Sequence, residues 1–307
     1  MINIYKNEFV KTLYKKSNVI FFILFIIIIS SLAFAKKDDS EVNKNWEQDL
    51  KQENIEYKNQ IKKSNADVQK NLKEKIEKNN SYIKNDINPN KKNQYKFMIS
   101  LLPIFLILSF YSLIMASSVV NDDFKYNTLK NIKASPNNSW KFIFNKYFVC
   151  LSIVIIWYTL TFIASFIIGG YIYEYDSFFA KSLYFSNGHN YIEPSILHIT
   201  KIYLGEFLFL SVIIAMNFLF ICVFKSQPIS LLLSLLVMLF HNQISQKLIF
   251  FKYSNFIIFQ HLSIKNKILE LSLKNDYWSL FFSITVLASY SLIFLFLSSL
   301  FFDKKEV

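Results

Sequence analysis

Arginine is missing: all 34 basic residues of the 307-residue chain are lysine. Readers of nucleic-acid bases lean on the bidentate arginine fork, so the formal charge of +12 is no argument for a nucleic-acid partner. Lysines beside apolar spans fit an anionic membrane surface. Glycine is nearly as scarce, at Gly169, Gly170, Gly188 and Gly205, and no G-x-x-x-x-G-K-[ST] phosphate loop can be written from these four. If transport here uses ATP, another polypeptide must bring it. Cys150 and Cys222 sit in or beside apolar blocks and offer neither a disulfide framework nor a metal cluster. The histidines His189, His198, His241 and His261 lack H-E-x-x-H or comparable spacing, no G-x-S-x-G elbow exists, and no carboxylate pair lies within an apolar run. The expectation is no catalytic residue, no metal and no cofactor bound by this chain.

What is abundant is apolar surface: 53% hydrophobic residues, 18% aromatic, 33 of them Phe. The excess of Lys, Asn, Ile and Phe fits an AT-rich genome, as in a low-GC bacterium. Several apolar blocks reach the roughly 18–20 residues that cross a bilayer as helix, and open strand edges are excluded from lipid. The reading is an all-α membrane protein with six transmembrane helices, at 18–35, 98–120, 148–170, 202–224, 228–250 and 279–302.

The flanks complete the organisation. Residues 1–17 carry Ile2, Tyr5, Phe9 and Leu13 at helical spacing, which predicts an amphipathic interfacial helix. Ala33-Phe34-Ala35 imitates a signal-peptide cleavage site; with Glu8 and the amphipathic pattern ahead of it, the first span is expected to stay uncleaved. Lysines in the short connections favour cytoplasmic termini, with 303–307 as a cytoplasmic tail. Residues 36–97 are then extracytoplasmic. There Trp46, Leu50, Tyr57 and Ile61, followed by Val68, Leu72, Ile76 and Ile83, keep helical spacing. Ser64-Asn65-Ala66-Asp67 has a capping form that would start a second helix. The prediction is a helical hairpin closed by the turn signal Asn88-Pro89-Asn90. Residues 171–201 read as an irregular outer loop with a turn at Asn187-Gly188. Residues 251–278 read as a re-entrant or interfacial segment.

Polar residues inside spans are costly and often functional. The candidates are His241, Asn242 and Gln243 near the outer end of the fifth span, and Asn217 and Glu206 in the fourth. Helix–helix hydrogen bonding is the plainer reading of the first four. Glu206 either faces a substrate route or pairs with Lys201 near the interface.

The polar stretch NDDFKYNTLKNIKASP, 121–136, is the substantial cytoplasmic connection, within the loop 121–147. Asp122-Asp123 favour a helix start, Lys130 and Lys133 stand near its end, and Pro136 stops it. Those residues describe a short docking helix, and a solvated linker fits them equally well. The order DDFKYNTLKNIKASPNNSWKFIFNKYF resembles the first cytoplasmic loop of type-2 ABC-transporter permeases, in the low-GC bacterial subgroup serving drug and lantibiotic export. Asp123-Phe124 matches the acidic–aromatic element with Asp for Glu. Asn127-Thr128 replaces Gly-Thr, and Lys130, Pro136 and Lys146 fit directly. Ser139 stands where Arg is common. The N-terminal YKNEFVKTLYKKS, the Trp46-led charged loop and the terminal FFDKKEV are similar to the same subgroup, so the resemblance spans nearly the whole chain.

The resemblance implies the permease half of an exporter. Two permeases, identical or homologous, would bind two ABC ATPase subunits that carry ATP and Mg. Asp122, Asp123, Phe124, Asn127, Thr128, Lys130, Pro136 and Lys146 would form the ATPase-coupling loop, and the cargo would be an amphipathic drug or antimicrobial peptide. The competing readings are a membrane receptor whose outer hairpin binds ligand while the cytoplasmic loop recruits a signalling partner, and a membrane enzyme.

Overall fold

The computed structural model describes residues 2–35, 45–62, 65–125, 139–186, 189–274 and 277–303. Six of its helices are long and apolar enough to cross a membrane. In such segments every backbone donor and acceptor is satisfied within the helix, which is what lipid demands.

The chain begins with α1 (Ile2–Leu13) and turns sharply into α2 (Lys16–Ala35), the first span. The corner is stitched by Asn18, whose amide donates to the Thr12 carbonyl at 2.5 Å and accepts from Tyr111 Oη at 2.6 Å. Next come α3 (Trp46–Ile61) and α4 (Ala66–Lys84), packed on each other. Asn54 donates to Asn80 at 3.0 Å and Asn79 to Glu53 at 3.1 Å, with Leu50 and Leu72 buried. The cap of α4 is Asn65, which makes no side-chain cap bond; Ser64, expected to cap it, lies outside the described residues. Asn88 Oδ1 accepts from the Asn90 N–H at 2.8 Å, a local turn.

The second span departs from the expected single helix at 98–120. Helix α5 (Gln94–Ser100) is followed by a turn at 101–103, and α6 (Ile104–Lys125) resumes the run. Pro103 cannot donate to the helix ladder and its ring clashes with the preceding turn. The N–H groups of Ile104 and Phe105 instead bond three residues back. Helix α5 lies tight against α7 (Ser139–Tyr173) at Gly169, where a Cβ would meet the Phe97 ring at 2.7 Å. At 35 residues α7 runs about 52 Å, so it outreaches a hydrocarbon core of roughly 30 Å.

Between α7 and α8 (Ser195–Phe224) the expected irregular loop contains an antiparallel pair, β1 (Lys181–Ser186) and β2 (His189–Pro194). Lys181 pairs with Pro194, and Ser186 with His189. The Asn187-Gly188 turn lies outside the described residues. The pair is a small addition to an otherwise helical architecture.

Helix α8 is the central one and the most buried along its length together with α6. Lys225 ends it in left-handed conformation, φ 53°. Helix α9 (Gln227–Leu248) starts at once, with Pro228 in its first turn. After two 3-10 turns at 254–260 come α10 (Ile264–Lys274) and α11 (Tyr277–Asp303).

The contacts sort the connections onto two ends of the bundle. At one end Asp176 accepts from Lys91 at 3.0 Å and from Asn93 at 2.9 Å, and Asn190 donates to Ser81 at 2.9 Å. At the other end lie α1, the flanks of 126–138, the α8–α9 turn, and the end of α11, where Phe302 packs on Phe142.

Candidate functional site

The coupling-loop residues divide sharply. Asn127, Thr128, Lys130 and Pro136 lie outside the described residues. Asp122, Asp123 and Phe124 do not belong to a loop: α6 carries on through Lys125, and only backbone is described for Asp123 and Phe124. Of the stretch read as a loop at 121–147, residues 121–125 and 139–147 are helical, because a helix that has left the apolar run continues while its own ladder and its neighbours support it.

Those neighbours hold the stem from three sides. Asp122 accepts from Lys15, in the α1–α2 corner, at 2.7 Å. Gln227, at the start of α9, donates to Ser118 at 3.1 Å and accepts from Asn121 at 3.2 Å. The third tie is Lys146. The expected surface lysine is instead fully buried in α7. Its ammonium donates to the Val119 carbonyl at 2.5 Å, lies 3.7 Å from Glu8 of α1, and stands 4.9 Å from the Phe142 ring centre. Lys146 is therefore an internal fastener between α1, α6 and α7.

Asn217 is fully buried at the meeting of three spans. It accepts from Ser117 of α6 at 2.7 Å and donates to Ser234 of α9 at 3.0 Å. Buried amide groups satisfied in this way join helices at about 1 kcal/mol each. Asn217 reads as a helix–helix tie.

The remaining polar candidates gather at the opposite end. Glu206 pairs with Lys265, in the first turn of α10, and not with Lys201. Lys201 is occupied by Glu193, at 2.5 Å, and Glu193 also contacts His198 at 2.6 Å. Burial pushes the Glu193 carboxyl up, but its bonds to His198 and Lys201 outweigh that and hold it below the ordinary glutamate range. Gly205 explains why α10 can reach α8 here: a Cβ at that position would meet Lys265 Cα at 2.5 Å.

His241 is half-buried, its ring tilted against Phe209 with ring centres 4.9 Å apart, and its Nδ1 lies 2.9 Å from the Met238 carbonyl. Asn242 accepts from Ser263 at 2.7 Å. Gln243 is exposed. Glu206, Lys265, His241 and Asn242 line one cavity of about 320 Å³, walled by the Pro103 break, α8, α9 and the chain entering α10. Sequence reading missed Lys265 and Gly205. A glycine directly before an intramembrane carboxylate was the available signal for a close approach.

A chain of six apolar helices with no nucleotide loop, its polar groups tying spans together and lining one cavity, is a multi-pass membrane protein of the transporter kind. The family model described as ABC-2 family transporter protein matches residues 2–307, and the chain belongs to that family. It is the membrane component, a permease subunit, and membership implies an ABC ATPase as partner. The chain is similar to "Uncharacterized protein YhcI" of Bacillus subtilis (strain 168), with 21% identity over 315 residues that cover 100% of this chain and 99% of the relative. No solved structure matches it.

Proposed function

We propose that this permease subunit works in an ATP-driven exporter of amphipathic molecules, a drug or an antimicrobial peptide. Two such permeases, identical or homologous, pair with two ATPase subunits that hold ATP and Mg. Both termini and residues 126–138 face the cytoplasm, and α3, α4 and the β-hairpin stand outside. Asp123, Phe124, Asn127, Thr128, Lys130 and Pro136 form the docking element for the ATPase. Asp122 and Lys146 are left out of that contact, since their side chains are engaged within the bundle.

The observation that carries the reading is the stem of that element. Helices α6 and α7, on either side of 126–138, are fastened to the α1–α2 corner, α1 and α9 by Lys15–Asp122, Glu8–Lys146 and Asn121–Gln227. A push on the connection then moves several spans as one body, which is what coupling a soluble motor to a membrane path requires. The Phe-rich spans support an amphipathic cargo over a small ion.

The test is a pull-down of the tagged protein from its own membrane, with mass spectrometry of the co-purifying proteins. The expected result is a soluble ATPase with a Walker motif. Its reproducible absence, in detergent that keeps known complexes whole, overturns the reading and favours a receptor.

A further inference from the structure

We infer that Glu206 is the recognition carboxylate for an organic ammonium group on an amphipathic ligand, and that Lys265 is its tethered stand-in when no ligand is bound. The inference rests on the exporter reading for its physiological meaning and on the cavity for its chemistry.

A carboxylate inside a span needs a cation beside it. Glu206 has Lys265, but this pair is not built like Glu8–Lys146. The Lys146 side chain is 1% exposed and is held as well by a backbone carbonyl and an aromatic face. The Lys265 side chain is 38% exposed against 17% for Glu206, so the cation is the outer member and the carboxylate the inner one. Glu206 is set on the long central helix α8, whereas Lys265 hangs on four carbons from the first turn of the 11-residue α10. The flexible member can swing outward while the fixed one stays.

The space around the pair suits a second ammonium. About 320 Å³ is within the usual size of ligand pockets, roughly 300–1,000 Å³. A carbonyl can only accept, so His241 Nδ1 must carry the proton that meets Met238; in the neutral ring Nε2 is then an acceptor. The cavity thus combines an anionic acceptor and a neutral one with apolar walls from Phe105, Phe209 and Leu262. Once the Lys265 side chain swings out, an alkyl ammonium takes its place as the cation beside Glu206, and its chain lies along those walls. A sulfate or phosphate head meets Glu206 as a like charge.

The experiment measures tritiated dodecylamine binding to the purified permease in phosphatidylcholine nanodiscs, with dodecanol and dodecyl sulfate as competitors. Saturable amine binding is expected, with both competitors at least about tenfold weaker, the scale of one charge-assisted bond. Glu206→Gln is expected to weaken binding about tenfold or more, and Lys265→Met to strengthen it by removing the internal competitor. The double variant Glu206→Gln/Lys265→Met leaves no unpaired charge and serves if Glu206→Gln fails to insert; it too should bind about tenfold or more weakly than the wild type. Unchanged binding in the Gln variants, or binding that stays or falls in Lys265→Met, overturns the proposal, as does preference for dodecyl sulfate. Co-purification of the ATPase is scored separately. An ATPase that co-purifies with a permease blind to the amine sinks this inference alone; amine binding without an ATPase sinks the exporter reading alone.

Discussion

Two lysine–carboxylate pairs, at opposite ends of the same bundle, show how differently one chemistry can be used. Glu8–Lys146 sits among packed side chains, its ammonium shared with the Val119 carbonyl and the Phe142 ring. Glu206–Lys265 faces a cavity, with the lysine over a third exposed. In the first pair every neighbour resists movement of the cation. In the second, the cation borders open space. The difference teaches that the same ion pair can be locked into packed helices at one end of the bundle and left open on its cation side at the other.

The comparison can be broken most severely at Lys146. Lys146→Met leaves Glu8 and the Val119 carbonyl without their buried partner, a loss of about 3 kcal/mol. Thermal unfolding in detergent should show a clear drop in Tm, far larger than that of Lys265→Met. Equal drops would erase the distinction between the pairs. Next is Gly205→Leu, which drives a side chain into the α10 backbone and should cost about 1–3 kcal/mol. Cross-linking between cysteines placed at 204 and 266 would weaken if α10 is displaced, and unchanged cross-linking would contradict the close approach.

Asn217→Leu removes the ties to Ser117 and Ser234 and should cost about 1 kcal/mol, with binding of dodecylamine unaffected. The smallest effect concerns pH. Burial pushes the Asp176 carboxyl up, but hydrogen bonds from Asn93 and Lys91 hold it below the ordinary aspartate range. A depressed folded value means that its stabilisation is present above the unfolded value, about 3.9, and is lost as pH falls through the folded one. Hydrogen exchange at 91–96 and 174–180 should therefore quicken below about pH 4 in the wild type. In Asp176→Asn that acceleration should be absent.

The spans were legible because lipid imposes one rule on them: a long apolar run must be helix. The break in the second span was not, since Pro103 sits inside an apolar run whose hydropathy hides it. Of the β-hairpin, the sequence offered only the turn signal Asn187-Gly188, which lies outside the described residues; strands of six residues with mixed polarity leave little pattern to read. Lys146 was misplaced because a charge ahead of an apolar block looks like a loop, while the helix in fact begins at Ser139. The Glu206 partner was unreadable for another reason. Lys201 was near in sequence, but Lys265 is 59 residues away and is brought in by packing at Gly205.

The central claim is that the chain after α6 transmits the work of a separate ATPase, and ATP hydrolysis by the reconstituted complex tests it most directly. Wild-type permease and Asp123→Lys would be compared in proteoliposomes at equal insertion, with the co-purified ATPase added. The account predicts that wild-type permease changes the ATPase rate severalfold on assembly and that Asp123→Lys loses both the binding and the change. A variant that binds the ATPase and supports hydrolysis and transport like the wild type would contradict it.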